Sequence, residues 1–149
     1  MNEDALKLGN QLCFRLAAVS RNMTRLYQPL LEKYKLTYPQ YIILLVLFEH
    51  KFIDFKELSI IVDLKTGTLT PIIQKLEEMG YVNKNKNPKD GRKIIVSLTN
   101  TGEELKYDLI EVPHQLVKLL DLEVDNYYTL INQLDVLLDK IQIAQKRER

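Results

Sequence analysis

Leu8, Leu12, Leu16, Val19, Met23, Leu26 and Leu30 recur at steps of three and four, the spacing of an apolar stripe on a helix. The pattern predicts a long first helix from about Ala5 to Tyr34 with that stripe buried. Pro29 falls inside it and is expected to bend it or end its regular part, because proline removes a backbone donor and clashes with the preceding turn. Thr37 is placed to cap a second helix with Tyr38 and Pro39 in its first turn. From Tyr41 to Phe48 this helix is apolar nearly all round, as expected of a central helix with neighbours on several sides. Phe52 and Ile53 read as a very short edge strand. Asp54, with Glu57 three residues later, reads as a capping box for the next helix.

Between Asp54 and Lys93 the pattern shortens and changes character. Phe55 to Val62 and Thr66 to Met79 read as two helices joined by a tight turn, with Gly80 stopping the second. Tyr81 to Lys86 and Lys93 to Leu98 read as two strands around the turn residues Asn87 to Arg92. Two helices followed by a basic hairpin are the layout of a winged helix-turn-helix, with one helix for the major groove and a hairpin beside the phosphate backbone. Beyond it, Thr99 to Glu104 is a turn that opens another helix with an apolar face from Leu105 to Leu120, kinked at Pro113. A final helix covers roughly Val124 to Gln145, and the tail from Lys146 to Arg149 is expected to fray. The expected fold is mainly α with a small β wing. Residues 1–149 form a single domain, with the reader over 52–98 and flanking helices at 5–34 and 102–145. The wide apolar faces of those flanking helices suit the pairing of two copies. A two-fold pair would present two recognition helices about 34 Å apart, one DNA turn.

Composition fits an ordinary globular chain of 149 residues, 46% hydrophobic and 28% charged. No apolar run is long enough for a membrane span. The opening Met1-Asn2-Glu3-Asp4-Ala5 is acidic and lacks the order of a secretion signal, so a cytoplasmic location is expected. The net charge of +1 conceals an uneven distribution. Lys84, Lys86, Lys89, Arg92 and Lys93 face only Asp90 between residues 83 and 93, whereas Asp121, Glu123, Asp125, Asp135 and Asp139 have no basic neighbour in their segment. A basic run is usually just a solvated face; on a hairpin beside a helix pair it fits double-stranded DNA.

The candidate DNA contacts follow from this layout. Thr66, Thr68 and Thr70 open the second reader helix, where short hydroxyls and methyls suit phosphates, base edges and thymine methyl groups; the plainer role for Thr66 is an N-cap. Gln74 and Lys75 lie a turn further on, while Leu69, Ile72, Ile73 and Leu76 should hold the helix to the domain. Arg92 at the wing tip suits a narrow minor groove or a phosphate, with Asp90 either turning the backbone or pairing with it. Lys84, Lys86, Lys89 and Lys93 read as sequence-independent phosphate contacts. The single cysteine, Cys13, cannot form an intrachain disulfide and most simply serves as a small core hydrophobe. His50 and His114 are too isolated in sequence to suggest a metal centre, and no nucleophile, base and orienter set suggests an enzyme.

Four words in the chain carry a family resemblance: Gln11-Leu12-Cys13-Phe14, Leu36-Thr37-Tyr38-Pro39-Gln40-Tyr41, Gly67-Thr68-Leu69-Thr70-Pro71 and Asp90-Gly91-Arg92. On these the chain resembles the MarR-type regulators, specifically the one-cysteine organic-hydroperoxide-sensing repressors and related staphylococcal redox and virulence regulators. The resemblance implies a homodimer of winged helix-turn-helix subunits that binds pseudopalindromic operators, usually as a repressor, without a cofactor. It also implies a redox sensor made of Cys13 and two tyrosines of the partner subunit at positions equivalent to Tyr27 and Tyr38, with DNA released on oxidation by an organic hydroperoxide. Tyr27 lies about 21 Å from Cys13 along one helix, so a contact between them must cross between subunits. Hydrogen bonds from those hydroxyls would favour the thiolate, and with no second cysteine the oxidised form could join a low-molecular-weight thiol. The chain departs from the family pattern at Ala17, where an aromatic residue is common, and at Lys65, where an acidic one is common; Lys65 adds positive charge near the DNA. Two alternatives stand beside this reading. One is a regulator of the same fold released by a small aromatic ligand, with Cys13 inert. The other is a protein-interaction module that does not read DNA.

Overall fold

A computed structural model of the chain describes residues 3–148. Expectations for Met1, Asn2 and the terminal Arg149 lie outside those residues. The chain forms two compact units, one running to Val112 and one beginning at Pro113.

The first unit opens with two 3-10 turns, Glu3–Leu6 and Leu8–Asn10, followed by α1 (Leu12–Glu32). The single helix expected from Ala5 therefore starts at Leu12. Local side chains compete with the helix ladder ahead of it. The Asn10 side-chain amide donates to Asp4 O at 2.8 Å, the Gln11 amide to Ala5 O, and Arg15 Nε to Gly9 O at 3.3 Å. Pro29 does not end the helix, which runs through it to Glu32. The chain leaves α1 through a left-handed Lys35 at φ 57°, with Lys35 N donating to Glu32 O (2.9 Å) and Leu36 N to Leu31 O (3.3 Å). These paired bonds are a Schellman ending, sealed by the buried side chains of Leu31 and Leu36.

α2 (Tyr38–His50) is the centre of this unit and touches α1, α4 (Thr66–Glu78), α5 (Asn100–Leu109), β1 (Phe52–Asp54) and β3 (Ile94–Leu98). Ile43, Leu44 and Leu47 are fully buried, as an all-round apolar sequence requires. Thr37 caps its start as expected, and the cap is a capping box that the sequence reading did not name, with Thr37 N donating to Gln40 Oε1 at 2.8 Å. The cap of α3 (Phe55–Ile61) differs from expectation: Asp54 Oδ1 accepts from Lys56 N at 2.9 Å, and Glu57 makes no reciprocal bond. The turn between α3 and α4 repeats the Schellman pattern, with Asp63 left-handed at φ 51° and Leu64 N donating to Ser59 O at 3.0 Å.

The sheet has the order β1-β3-β2, all antiparallel, with β2 spanning Val82–Lys86. The registers Ile53↔Val96 and Lys84↔Val96 place buried Val96 between the two outer strands. The base of the hairpin is fixed to α4 and α5. Gly80 at φ 79° ends α4, and Thr99 Oγ1 donates to Gly80 O (2.6 Å) and accepts from Gly102 N (3.0 Å). A Cβ on Gly102 would lie 2.1 Å from Tyr81 O, so this close approach of α5 to the hairpin admits only glycine.

The helix expected through Leu105 to Leu120 is divided. α5 stops at Leu109 and α6 (Glu111–Leu120) begins after Ile110. Pro113 supplies the reason: it lacks the N–H that would reach Leu109 O, and its ring crowds that carbonyl. In the second unit α7 (Val124–Arg147) contains no buried residue. Its apolar positions Val124, Tyr127, Ile131, Leu134, Leu138 and Ile141 alternate steps of three and four, a continuous seam along one side.

The stripe expected to be buried is only partly covered in the single chain, with Leu16, Met23, Leu26 and Leu30 half-buried. Leu8, Leu12 and Val19 are about 60% exposed, and Leu31 is the one fully buried side chain of α1. The spacing of the leucines was sound; what the chain itself does not supply is a surface to cover all of them.

Candidate nucleic-acid interface

α4 divides its residues sharply. Leu69, Ile73 and Leu76 are fully buried and Ile72 partly so, whereas Thr66, Thr68, Thr70, Gln74 and Lys75 are exposed. The apolar residues therefore seat the helix on the core and turn a polar face outward. Thr66 is not the N-cap: that position is Lys65, in extended conformation and without a side-chain cap bond, and Thr66 is the first helical residue. Its hydroxyl is not consumed in closing the helix start. Thr70 donates its hydroxyl proton to Thr66 O at 2.8 Å, which leaves its methyl group and lone pairs for an external contact. Lys75 Nζ lies 3.1 Å from Glu78 Oε2, and Gln74 Nε2 lies 3.5 Å from Glu78 Oε1.

The hairpin stands beside this helix, linked to it by Glu77 Oε1, which accepts from Lys84 N at 3.2 Å. Lys84 and Lys86 are exposed on β2, two residues apart and so on one face of that edge strand. At the tip, Asn87 Oδ1 accepts from Lys89 N at 2.8 Å, and Lys93 N donates to Asp90 O at 2.9 Å. Asp90 both turns the backbone and pairs with Arg92: its Oδ1 accepts from Arg92 N and from Arg92 Nε, each at 3.2 Å. Arg92 and Lys89 are exposed at this tip.

The other candidate constellation is split. Tyr27 on α1 and Tyr38 on α2 meet with ring centroids 4.8 Å apart, and buried Tyr41 packs on Tyr27 at 5.6 Å. Cys13 is in the first turn of α1 and exposed, so it is not a core hydrophobe of its own chain. Because Cys13 and Tyr27 share one continuous helix, about 21 Å of helix axis separates them. A cleft of about 500 Å³ lined in part by Thr24, Gln28, Tyr38 and Pro39 opens beside the tyrosines.

Sequence reasoning missed Glu77, Glu78 and Tyr41. The signals were present: Glu78 stands three and four residues after Lys75 and Gln74, the spacing of helix-face neighbours, and Tyr41 follows Tyr38 by three.

Residues 25–109 match the family model of the transcriptional regulator SarA/Rot. The organic hydroperoxide resistance transcriptional regulator of Bacillus subtilis is 38% identical over 93% of this chain and 94% of its own length. The regulator SarZ of Staphylococcus saprophyticus is 34% identical over 94% of this chain and 96% of its own length. Among solved structures, AbfR of Staphylococcus epidermidis superposes with a TM-score of 0.79 at 28% identity, covering 95% of this chain and 97% of that one. AbfR has also been solved reduced and bound to DNA, overoxidised and bound to DNA, and in a disulfide-formed state. The fold is therefore that of winged-helix transcription regulators, with the β2–β3 hairpin as the wing. The chain belongs to the SarA/Rot family of transcriptional regulators, within the MarR-type group that includes the organic-hydroperoxide and SarZ regulators.

Proposed function

We propose that the chain is a homodimeric regulator that binds a pseudopalindromic operator in the cytoplasm and releases it when Cys13 is oxidised by an organic hydroperoxide. The observation that carries the DNA-binding part is the outward polar face of α4, with Thr66, Thr68, Thr70, Gln74 and Lys75 exposed beside the basic wing. On this reading Lys65 and the threonines enter the major groove, and Lys84, Lys86 and Lys89 hold phosphates. Arg92 reaches the backbone or the adjacent minor groove. Residues 1–149 act as one MarR-type domain, with 5–34 and 102–145 contributing the dimer surface; the bare seam of α7 and the exposed Leu12, Phe14 and Val19 of α1 support that pairing.

The redox part draws support from the relatives and from the adjacent, mutually tilted rings of Tyr27 and Tyr38. A paired subunit would bring its Tyr27 and Tyr38 toward Cys13. The Cys13 thiolate attacks the terminal peroxide oxygen, the O–O bond breaks, and the alkoxide leaves and takes up a proton to become the alcohol. The resulting sulfenic acid condenses with a low-molecular-weight thiol, releasing water and forming a mixed disulfide. The cleft beside Tyr38 favours a second reading, release by a small aromatic ligand with Cys13 inert.

Operator affinity is measured before and after one equivalent of organic hydroperoxide, and again after thiol reductant, for the wild type and Cys13→Ser. Loss and recovery of binding in the wild type alone supports the sensor. Equal peroxide response in Cys13→Ser rejects it, and absence of salt-sensitive binding to any duplex rejects DNA reading altogether.

A further inference from the structure

The outward face of α4 carries a carboxylate where a phosphate-facing surface would be expected to carry none. Glu78 Oε2 accepts from Lys75 Nζ at 3.1 Å, and Oε1 lies 3.5 Å from the Gln74 amide. Both donors belong to the face that turns away from the core. Neighbouring Glu77 is differently engaged, since its Oε1 accepts from Lys84 N at 3.2 Å and ties the helix to the wing. Glu78 has no such structural bond. Its pair with Lys75 is 60% and 53% exposed, and an ion pair so well hydrated adds little to the fold. What it does do is occupy two donors of the reading face.

We propose that Glu78 is a specificity residue: its carboxylate withholds Lys75 and Gln74 from the phosphates of arbitrary duplexes and yields them only where base contacts compensate. The proposal rests on the DNA-reading function above. On DNA of any sequence the helix lies loosely over the backbone. Lys75 stays on Glu78 and neutralises no phosphate, while the carboxylate itself repels the duplex. On the operator the helix seats deeply, Gln74 exchanges the carboxylate for a base edge, and Lys75 swings to a phosphate. Glu78 thus weakens unwanted binding more than wanted binding, and discrimination depends on that difference.

The test uses the full chain as wild type, Glu78→Gln, Lys75→Met and the double variant. An operator is selected from a random duplex pool, and its binding is compared across salt concentrations with that of a scrambled duplex of equal length and composition. Glu78→Gln is expected to tighten the scrambled duplex by about fivefold to tenfold at low salt. The slope of log K against log salt should steepen by about 0.9, one added phosphate contact. Operator affinity should change less, and most of the effect should be lost in the Lys75→Met background, where only the carboxylate's own repulsion remains. Equal tightening on both duplexes makes Glu78 only a nearby negative charge and overturns the proposal. So does an unchanged ratio, or a full effect without Lys75. If the wild type binds neither duplex, the DNA-reading function fails and this inference falls with it; a bound wild type with an unmoved ratio sinks this inference alone.

Discussion

Lys35 holds a left-handed backbone at φ 57° to close α1, a conformation that glycine adopts without a Cβ penalty. An L-residue there costs about 1–2 kcal/mol, against which glycine's extra freedom in the unfolded chain costs about 0.5–1. Lys35→Gly is therefore expected to stabilise the protein by about 0.5–1 kcal/mol, read as a shift of the urea midpoint with an unchanged slope. Asp63 sits in the same conformation, but aspartate tolerates it better, so the gain there is smaller. At this scale the sequence was only partly legible. Asp54, Thr37 and Gly80 read correctly as caps and stops because each has one dominant use. Thr66 did not, because Lys65 took the cap position without using its side chain.

Among elements, α4 shows what local pattern can and cannot reveal. The split between Leu69, Ile73 and Leu76 on one side and the threonines, Gln74 and Lys75 on the other could be read from spacing alone. Spacing also put Glu78 within reach of Gln74 and Lys75, but the rotamer that makes both pairings is not a property of spacing. Gly67 lies in the first turn with nothing within 4 Å of a Cβ placed on it. Gly67→Ala should raise stability by about 0.5–1 kcal/mol through helix propensity, measured by thermal melting of the free protein. The division of α5 from α6 was half legible: Pro113 announced a break, but the break falls at Ile110, where proline's missing donor is felt one turn upstream.

For the molecule as a whole, apolar periodicity reports that a face avoids water without saying which chain covers it. The stripe on α1 was expected to be buried and is only partly covered in the single chain, while the apolar face of α7, which the sequence assigned to pairing, contains no buried residue. Leu134 is in the middle of the α7 seam and 50% exposed. If the proposed dimer closes over this seam, Leu134→Glu should leave the helical signal of each chain intact while shifting sedimentation from paired to single subunits at micromolar concentration. Operator binding should fall with it, since one subunit meets only one half-site.

On the proposed pairing, the uncovered seam of α7 also sets how the regulator answers to its own abundance. If only doubled chains grip an operator, then in the dilute range halving the number of chains leaves about a quarter as many grips. Promoter control by such a protein would switch over a narrower span of expression than a lone subunit allows, and a modest rise in synthesis would act like a trigger.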